Sequence, residues 1–230
     1  MNMKVIRRNL LQVTAIGFIL VFLIAILPMT LNTALGEDQK PIQLSKPQTA
    51  GNPLMQLLAK RSSSREFSSE PLPANILSNM LWAAAGINRP ESGKRTAPSA
   101  SNRQEIDIYV ATAAGLYLYD AKSNLLKPIL AEDIRGVTGT QAYVKEAAVN
   151  LIYVADYSKM KSSSDEVKNI YAAADTGFIS ENVYLYCASE GLSTVVRAAI
   201  DRPALAKVMG LRPDQRIILA QSVGYPKKQK

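Results

Sequence analysis

Ser163-Ser164-Asp165-Glu166-Val167-Lys168-Asn169-Ile170 opens a stretch that keeps helical spacing to about Glu190 and stops at Gly191. Ser163 and Glu166 have the spacing of a capping box, in which a hydroxyl and a carboxylate satisfy the first free amides of a helix. Further along, Ile170, Tyr171, Ala174, Phe178, Ile179, Val183, Leu185 and Cys187 place apolar groups around most of the circumference. That pattern belongs to a helix buried on several sides. A dimer core would supply those sides.

Downstream, Leu192 to Ala199 reads as a strand, Pro203 to Met209 as a short helix and Ile217 to Val223 as a last strand. Upstream, Val149 to Ala155 is a near-continuous apolar run, the signature of a strand buried on both faces. Ile106, Ile108 and Val110 alternate with Asp107 and Tyr109, and Leu116 and Leu118 alternate with Tyr117 and Tyr119 beyond a break at Gly115; this predicts a strand pair. A polar turn over Asp120 to Asn124 and a short helical stretch around Ala131 to Arg135 come next. Nearer the amino terminus, Pro53 starts a helix that carries Leu54, Leu57 and Leu58 to about Lys60. Ile76, Leu77, Met80, Leu81 and Ala84 form a second helical stripe, closed by Gly86. Asn88 to Gln104, rich in Gly, Pro, Ser and basic residues, predicts a long loop, and long loops in compact domains are often functional. Helices and strands mix without strict alternation, which gives the α+β class.

The first residues read as an address. Lys4, Arg7 and Arg8 precede an uncharged apolar stretch from about Leu10 to Leu35 that ends in Ala34-Leu35-Gly36, the layout of a signal peptide over residues 1–36. The stretch is also long enough to span roughly 30 Å of hydrocarbon, so an uncleaved inner-membrane anchor is the rival reading. Arg7-Arg8 followed by Asn9-Leu10-Leu11 resembles a twin-arginine export pattern as well. Either way the body is expected outside the cytoplasm, periplasmic or secreted, with residues 37–52 as a flexible leader and residues 53–230 as one domain.

Composition narrows the chemistry. The chain has no histidine and a single cysteine, Cys187. Histidine-based nucleophile systems, an intramolecular disulfide and a cysteine metal cage are therefore excluded, and no metal site is expected. The net charge of +8 is carried by scattered cations without aromatic interleaving, which does not favour a nucleic-acid partner. An enzyme built this way relies on a cofactor for its chemistry. Cys187 and Trp82 read first as packed residues, and Asp175 as a buried polar partner.

Two constellations could meet such a cofactor. Arg61-Ser62-Ser63-Ser64-Arg65 sets two guanidinium forks around three hydroxyls, a multidentate donor set for a phosphate; the same composition also suits a solvated loop. Pro98-Ser99-Ala100-Ser101-Asn102-Arg103-Gln104 offers amide and hydroxyl groups that complement a flavin edge, and equally a turn before a strand.

Taken in order, these segments resemble the nitroreductase family of FMN enzymes. Arg61 to Phe67 is similar to the family's R-[RS]-S-x-R-x-[FY] phosphate motif, and Pro98 to Gln104 to its P-S-x-x-N-x-Q flavin loop. Asp175-Thr176-Gly177, then Asn182, Leu185 and Gly191-Leu192, resembles its central helix, and Gly224-Tyr225-Pro226 its closing G-Y-P. The resemblance implies a three-layer fold, a central mixed sheet flanked by helices, within an intertwined homodimer. It also implies that FMN phosphate is held by Arg61, Ser62, Ser63 and Arg65, with Lys227 or Lys228 replacing an arginine that Ser62 lacks. Pro98, Ser99, Ala100 and Asn102 would meet the flavin across the dimer; Glu105 stands where the family usually has proline. Val195-Val196-Arg197-Ala198 replaces the family's usual Pro-x-Glu-Gly, so the Ala198 amide would meet flavin N5 and Arg197 would place positive charge beside the ring.

The activity implied is transfer of electrons through flavin N5 to a small electron-poor acceptor, a nitroaromatic or a quinone. NAD(P)H is the usual donor, and export leaves the donor open. Two alternatives stand beside it. One is the azoline-oxidising branch of the family, suggested by the Tyr117 and Tyr119 hairpin but lacking a Lys-Tyr pair ahead of the central helix. The other is a non-catalytic envelope protein that binds flavin or another anion.

Overall fold

The structure, a computed structural model, describes residues 39–49, 51–161 and 163–228. The segment read as signal peptide or anchor lies outside the described residues. Among the described residues no helix is long and apolar enough to cross a membrane.

In chain order the elements are β1 (Ile42–Gln43), α1 (Leu54–Lys60), α2 (Ala74–Ala85), β2 (Ile87–Arg89), β3 (Lys94–Arg95), β4 (Ile106–Thr112), β5 (Gly115–Asp120), β6 (Leu125–Leu130), β7 (Val149–Asp156), α3 (Asp165–Glu190), β8 (Ser193–Arg197), α4 (Arg202–Val208) and β9 (Gln215–Gly224). Seven strands form one sheet in the order β1-β6-β5-β4-β7-β9-β8, and β2 and β3 form a separate ribbon. This is the expected α+β class. Among the described residues the six ladders of this sheet are antiparallel.

β7 sits at the centre, and all eight of its residues are buried, as its unbroken apolar run requires. Its alternate side chains serve two cores. Leu151, Tyr153 and Ala155 face α2 and α3 together with Met80, Leu81, Ile179 and Val183. Ile152 and Val154 face the opposite side, where α4 supplies Leu205. Helices thus cover both faces of the sheet and three layers result.

Several expectations change on contact with the fold. The cap of α3 is Ser164, whose hydroxyl accepts from the Val167 amide, one residue later than the expected box. The leader is not detached from Gln39 onward: Ile42 and Gln43 pair with Leu126 and Leu125, Leu44 is buried, and Ser78 Oγ donates to the Ser45 carbonyl. The expected helix around Ala131 to Arg135 is irregular chain, and β6 occupies Leu125–Leu130, between it and the expected turn. Its Pro128 hid it, and that residue is tolerated because β1 pairs only with Leu125 and Leu126, leaving the far part of β6 as a free edge. The loop from Asn88 contains the β2–β3 ribbon. Tyr117 and Tyr119, the residues that suggested the azoline branch, are buried in the core and present nothing to a substrate.

α3 itself is buried along one side only. Ala172, Asp175, Thr176, Ile179, Ser180, Val183 and Cys187 face inward, whereas Ile170 is 58% exposed, Tyr171 41% and Phe178 48%. The second apolar face that the sequence displays is bare in a single chain.

Candidate functional site

Arg61 closes α1, its amide donating to the Leu57 carbonyl. The chain then runs extended along the end of the sheet. The Ser64 amide donates to the Thr194 carbonyl of β8 at 2.9 Å, Phe67 forms a bridge with Pro226, and the Ser68 amide donates to the Tyr225 carbonyl at 2.9 Å. The Lys227 amide closes the contact on the Glu66 carbonyl. Phe67 is the anchor: it is buried with Ala147 and Val195, beside the Tyr143 ring. Along this extended strip Phe67 turns inward, while Arg65 and Glu66 stay at the surface. The arginine-serine segment, β8 and the closing Gly-Tyr-Pro, far apart in sequence, therefore meet at one corner.

Tyr184 of α3 knits that corner together. Its hydroxyl lies 3.0 Å from Ser63 Oγ and accepts the Val196 amide at 2.9 Å, and the Arg61 guanidinium sits 5.3 Å above its ring. A cavity of about 230 Å³ adjoins it, lined by Lys60, Ser62, Tyr184, Ser193, Thr194 and Pro226 among others. Lys60, Arg61, Arg65 and Lys227 have no carboxylate partner among the described residues. Unpaired cations beside hydroxyls and a polar cavity fit a phosphate group. Lys60 and Tyr184 were not legible as site residues: Tyr184 looks like any helix tyrosine, and Lys60 like a helix-end cation.

The loop expected to meet a flavin is built, but elsewhere in the chain. Asp175 Oδ2 accepts the Ala100 amide at 3.0 Å, Ser99 Oγ accepts the Gln104 amide, and Asn102 Oδ1 accepts from Gln104 Nε2. Ser101, Asn102 and Gln104 all take positive φ, at 54°, 53° and 51°, a conformation that holds only where surrounding contacts over-determine it. Asp175 precedes Tyr184 by two and a half turns, so about 14 Å of helix axis separates loop from corner. One chain does not bring the two together.

Glu105, the residue in place of proline, is fully buried beside this loop. Burial, reinforced by hydrogen bonding to Asp175 and its negative charge, pushes the Glu105 carboxyl up to about 7. Neither of its oxygens has an N–H or hydroxyl donor among the described residues. A protonated Glu105 that donates to the Asp175 carboxylate accounts for both facts.

Arg197 closes β8. β8 alternates, so Arg197 and Val195 share the face turned away from α3. Its guanidinium is buried and donates to Thr138 Oγ1 at 2.9 Å and Asn150 Oδ1 at 2.8 Å, packed so close to Gly139 that a Cβ there would lie 3.0 Å from it. Desolvation lowers it to about 10, and its Nε and Nη1 find no acceptor among the described residues. The guanidinium thus points into the interior on the side of β8 turned away from α3. Ala198, just past the end of β8, is exposed.

The model of the nitroreductase family matches residues 58–225, a span that holds the loop, the central helix and the corner up to Tyr225. The chain belongs to the nitroreductase family. Family members are oxidoreductases. A candidate nitroreductase of Methanocaldococcus jannaschii is 32% identical over 152 residues, covering 62% of this chain and 76% of that protein. The crystal structure of a candidate nitroreductase from Ralstonia eutropha is similar at 43% identity and a TM-score of 0.81, over 85% of this chain and 94% of the other. The NADPH:FMN oxidoreductase of Vibrio harveyi, solved with NAD+, shares the nitroreductase fold at 20% identity and a TM-score of 0.58, over 77% of this chain and 70% of that one.

Proposed function

We propose that this nitroreductase-family chain binds FMN and, as a homodimer, passes electrons from a reduced nicotinamide or another donor to a small electron-poor acceptor such as a nitroaromatic or a quinone. The observation that carries the reading is the convergence of Arg61–Phe67, β8 and Tyr225–Lys227 around unpaired cations and a polar cavity. In that arrangement Lys60, Arg61, Ser62, Ser63, Arg65 and Lys227 hold the phosphate, and the backbone at Ala198 faces the ring. Pro98, Ser99, Ala100 and Asn102 reach the ring from a second copy, which removes the separation found within one chain. Bare apolar residues on α3 and α1, where Leu54, Met55 and Leu58 are also exposed, support that second copy.

Bound FMN would supply the electron-transfer chemistry. The protein's own groups position it. Cys187 is buried, and its thiol is held far above the ordinary range, so it stays an unreactive thiol. The amino-terminal segment supports export, which would place the domain outside the cytoplasm, cleaved free or held at the membrane.

The purified domain should carry a yellow FMN-type absorbance that bleaches when a competent donor is added anaerobically and returns with a quinone or nitroaromatic. Colour that no donor bleaches would leave a flavin-binding protein without turnover. A protein that takes up no FMN would overturn the flavin reading.

A further inference from the structure

We propose that Tyr184 is a positioning residue that fixes which way the Ser63 hydroxyl points, so that Ser63 donates to the phosphate of bound FMN; this rests on the FMN reading above. A tyrosine hydroxyl has one proton and two lone pairs. The Val196 amide, 2.9 Å away, occupies one lone pair. The Tyr184 proton then needs an acceptor, and among the described residues Ser63 Oγ at 3.0 Å is the one in reach. With Tyr184 donating to Ser63, the proton of Ser63 is directed out of the pair, away from Tyr184 and toward the ligand side of the corner. The opposite polarity would turn a serine lone pair toward an anion and leave the tyrosine proton without a protein acceptor.

The result is a short polarised chain in which the Val196 amide donates to Tyr184, Tyr184 to Ser63 and Ser63 to a phosphate oxygen. Bonds in such a chain strengthen one another, and a bond to a charged oxygen is the strongest member. The chain begins on β8, two residues before Ala198. Through Tyr184 the strand that faces the ring and the segment that holds the phosphate are fastened to one atom, while Arg61 lies over the same ring.

The test is the affinity of wild-type protein, Tyr184→Phe, Ser63→Ala and the double variant for FMN and for riboflavin, which lacks the phosphate. Phenylalanine keeps the ring under Arg61 and removes only the hydroxyl. Tyr184→Phe should weaken FMN about tenfold, because Ser63 is no longer held in the orientation that donates to the phosphate, while riboflavin changes by less than about twofold. The double variant should bind FMN no more weakly than Ser63→Ala alone, because both changes break one chain. Exchange of the Val196 amide should quicken in Tyr184→Phe even without flavin. Equal FMN binding by wild type and Tyr184→Phe, equal weakening of riboflavin, or effects that simply multiply would each overturn the inference. Wild type that binds no FMN would overturn the flavin reading and this inference together.

Discussion

Glu105 lies fully buried against Asp175, whose carboxylate holds the Ala100 amide of the strained loop. Its native carboxyl is raised from 4.5 to about 7. Below the unfolded value both states hold the proton and nothing changes. Between about pH 4.5 and 7 the unfolded chain has released a proton that the native state keeps, so stability falls as pH rises through that window and levels off above it. The loss is on the order of 3 kcal/mol. Asp120, Asp133 and Asp156 are all held low, so they act below this window and in the opposite sense. Denaturant melts from pH 5 to 8 should show the decline. Glu105→Gln, whose amide still donates to Asp175, should flatten it and be the more stable protein at pH 8; an unchanged slope would refute the shared proton.

At the corner, Arg61→Ala and Arg65→Ala should each weaken FMN by about tenfold to a hundredfold, since each removes a charge-assisted donor. Arg61→Ala should also loosen Tyr184 and be the more damaging. Fluorescence titration at two salt concentrations measures it, with affinity falling as salt rises because Arg61 is only half-buried and Arg65 is exposed. Full FMN loading in both variants would exclude the assignment.

Much of this was legible because the deciding signals were local. The β7 run, the β4–β5 alternation and the α2 stripe each state their own burial, and the corresponding elements formed. What was not legible depended on partners distant in sequence. Ile42 and Gln43 are unremarkable until β6 lies beside them, and Pro128 argues against a strand until its edge position is known. The same holds in the site. The residue types at Arg61, Ser63 and Arg65 could be read, but Tyr184 became part of the site only through a contact across 121 positions. Arg197 shows the converse: a strand position gave its neighbourhood, while alternation decided which face received its charge.

That charge yields a prediction against its expected role. Arg197 has no carboxylate partner among the described residues, and its two acceptors have other bonds, Thr138 to the Arg135 carbonyl and Asn150 to Ser222 Oγ and the Val144 carbonyl. Replacing buried ionic groups with apolar side chains of similar volume, when no charged partner is left behind, is often neutral or stabilising. Arg197→Met should therefore keep or raise the denaturation midpoint, by up to about 1 kcal/mol. The midpoint potential of bound flavin should be unchanged. A loss above about 2 kcal/mol would refute the stability expectation, and a lowered potential would show that the guanidinium acts beside the ring.

The bare face of α3 sets the last prediction. Ile170, Tyr171 and Phe178 lie at helical spacing on one side, 58%, 41% and 48% exposed, although residues of this size are normally covered. In a single chain Ile170→Glu or Phe178→Glu meets water and should alter stability little, within about 0.5 kcal/mol. In a dimer the same change buries an unpaired carboxylate, which strongly disfavours association. Light scattering should therefore find a dimer for the parent domain and a folded monomer for Phe178→Glu, with an unchanged far-ultraviolet circular dichroism spectrum. Because the Pro98–Gln104 loop and the Arg61 corner lie about 14 Å apart along α3 in one chain, the monomer should also lose the ring contacts while keeping the phosphate contacts. FMN affinity should fall by at least about tenfold and riboflavin by a similar factor, the reverse of the Tyr184→Phe pattern. A monomeric parent that binds FMN tightly would refute the shared site.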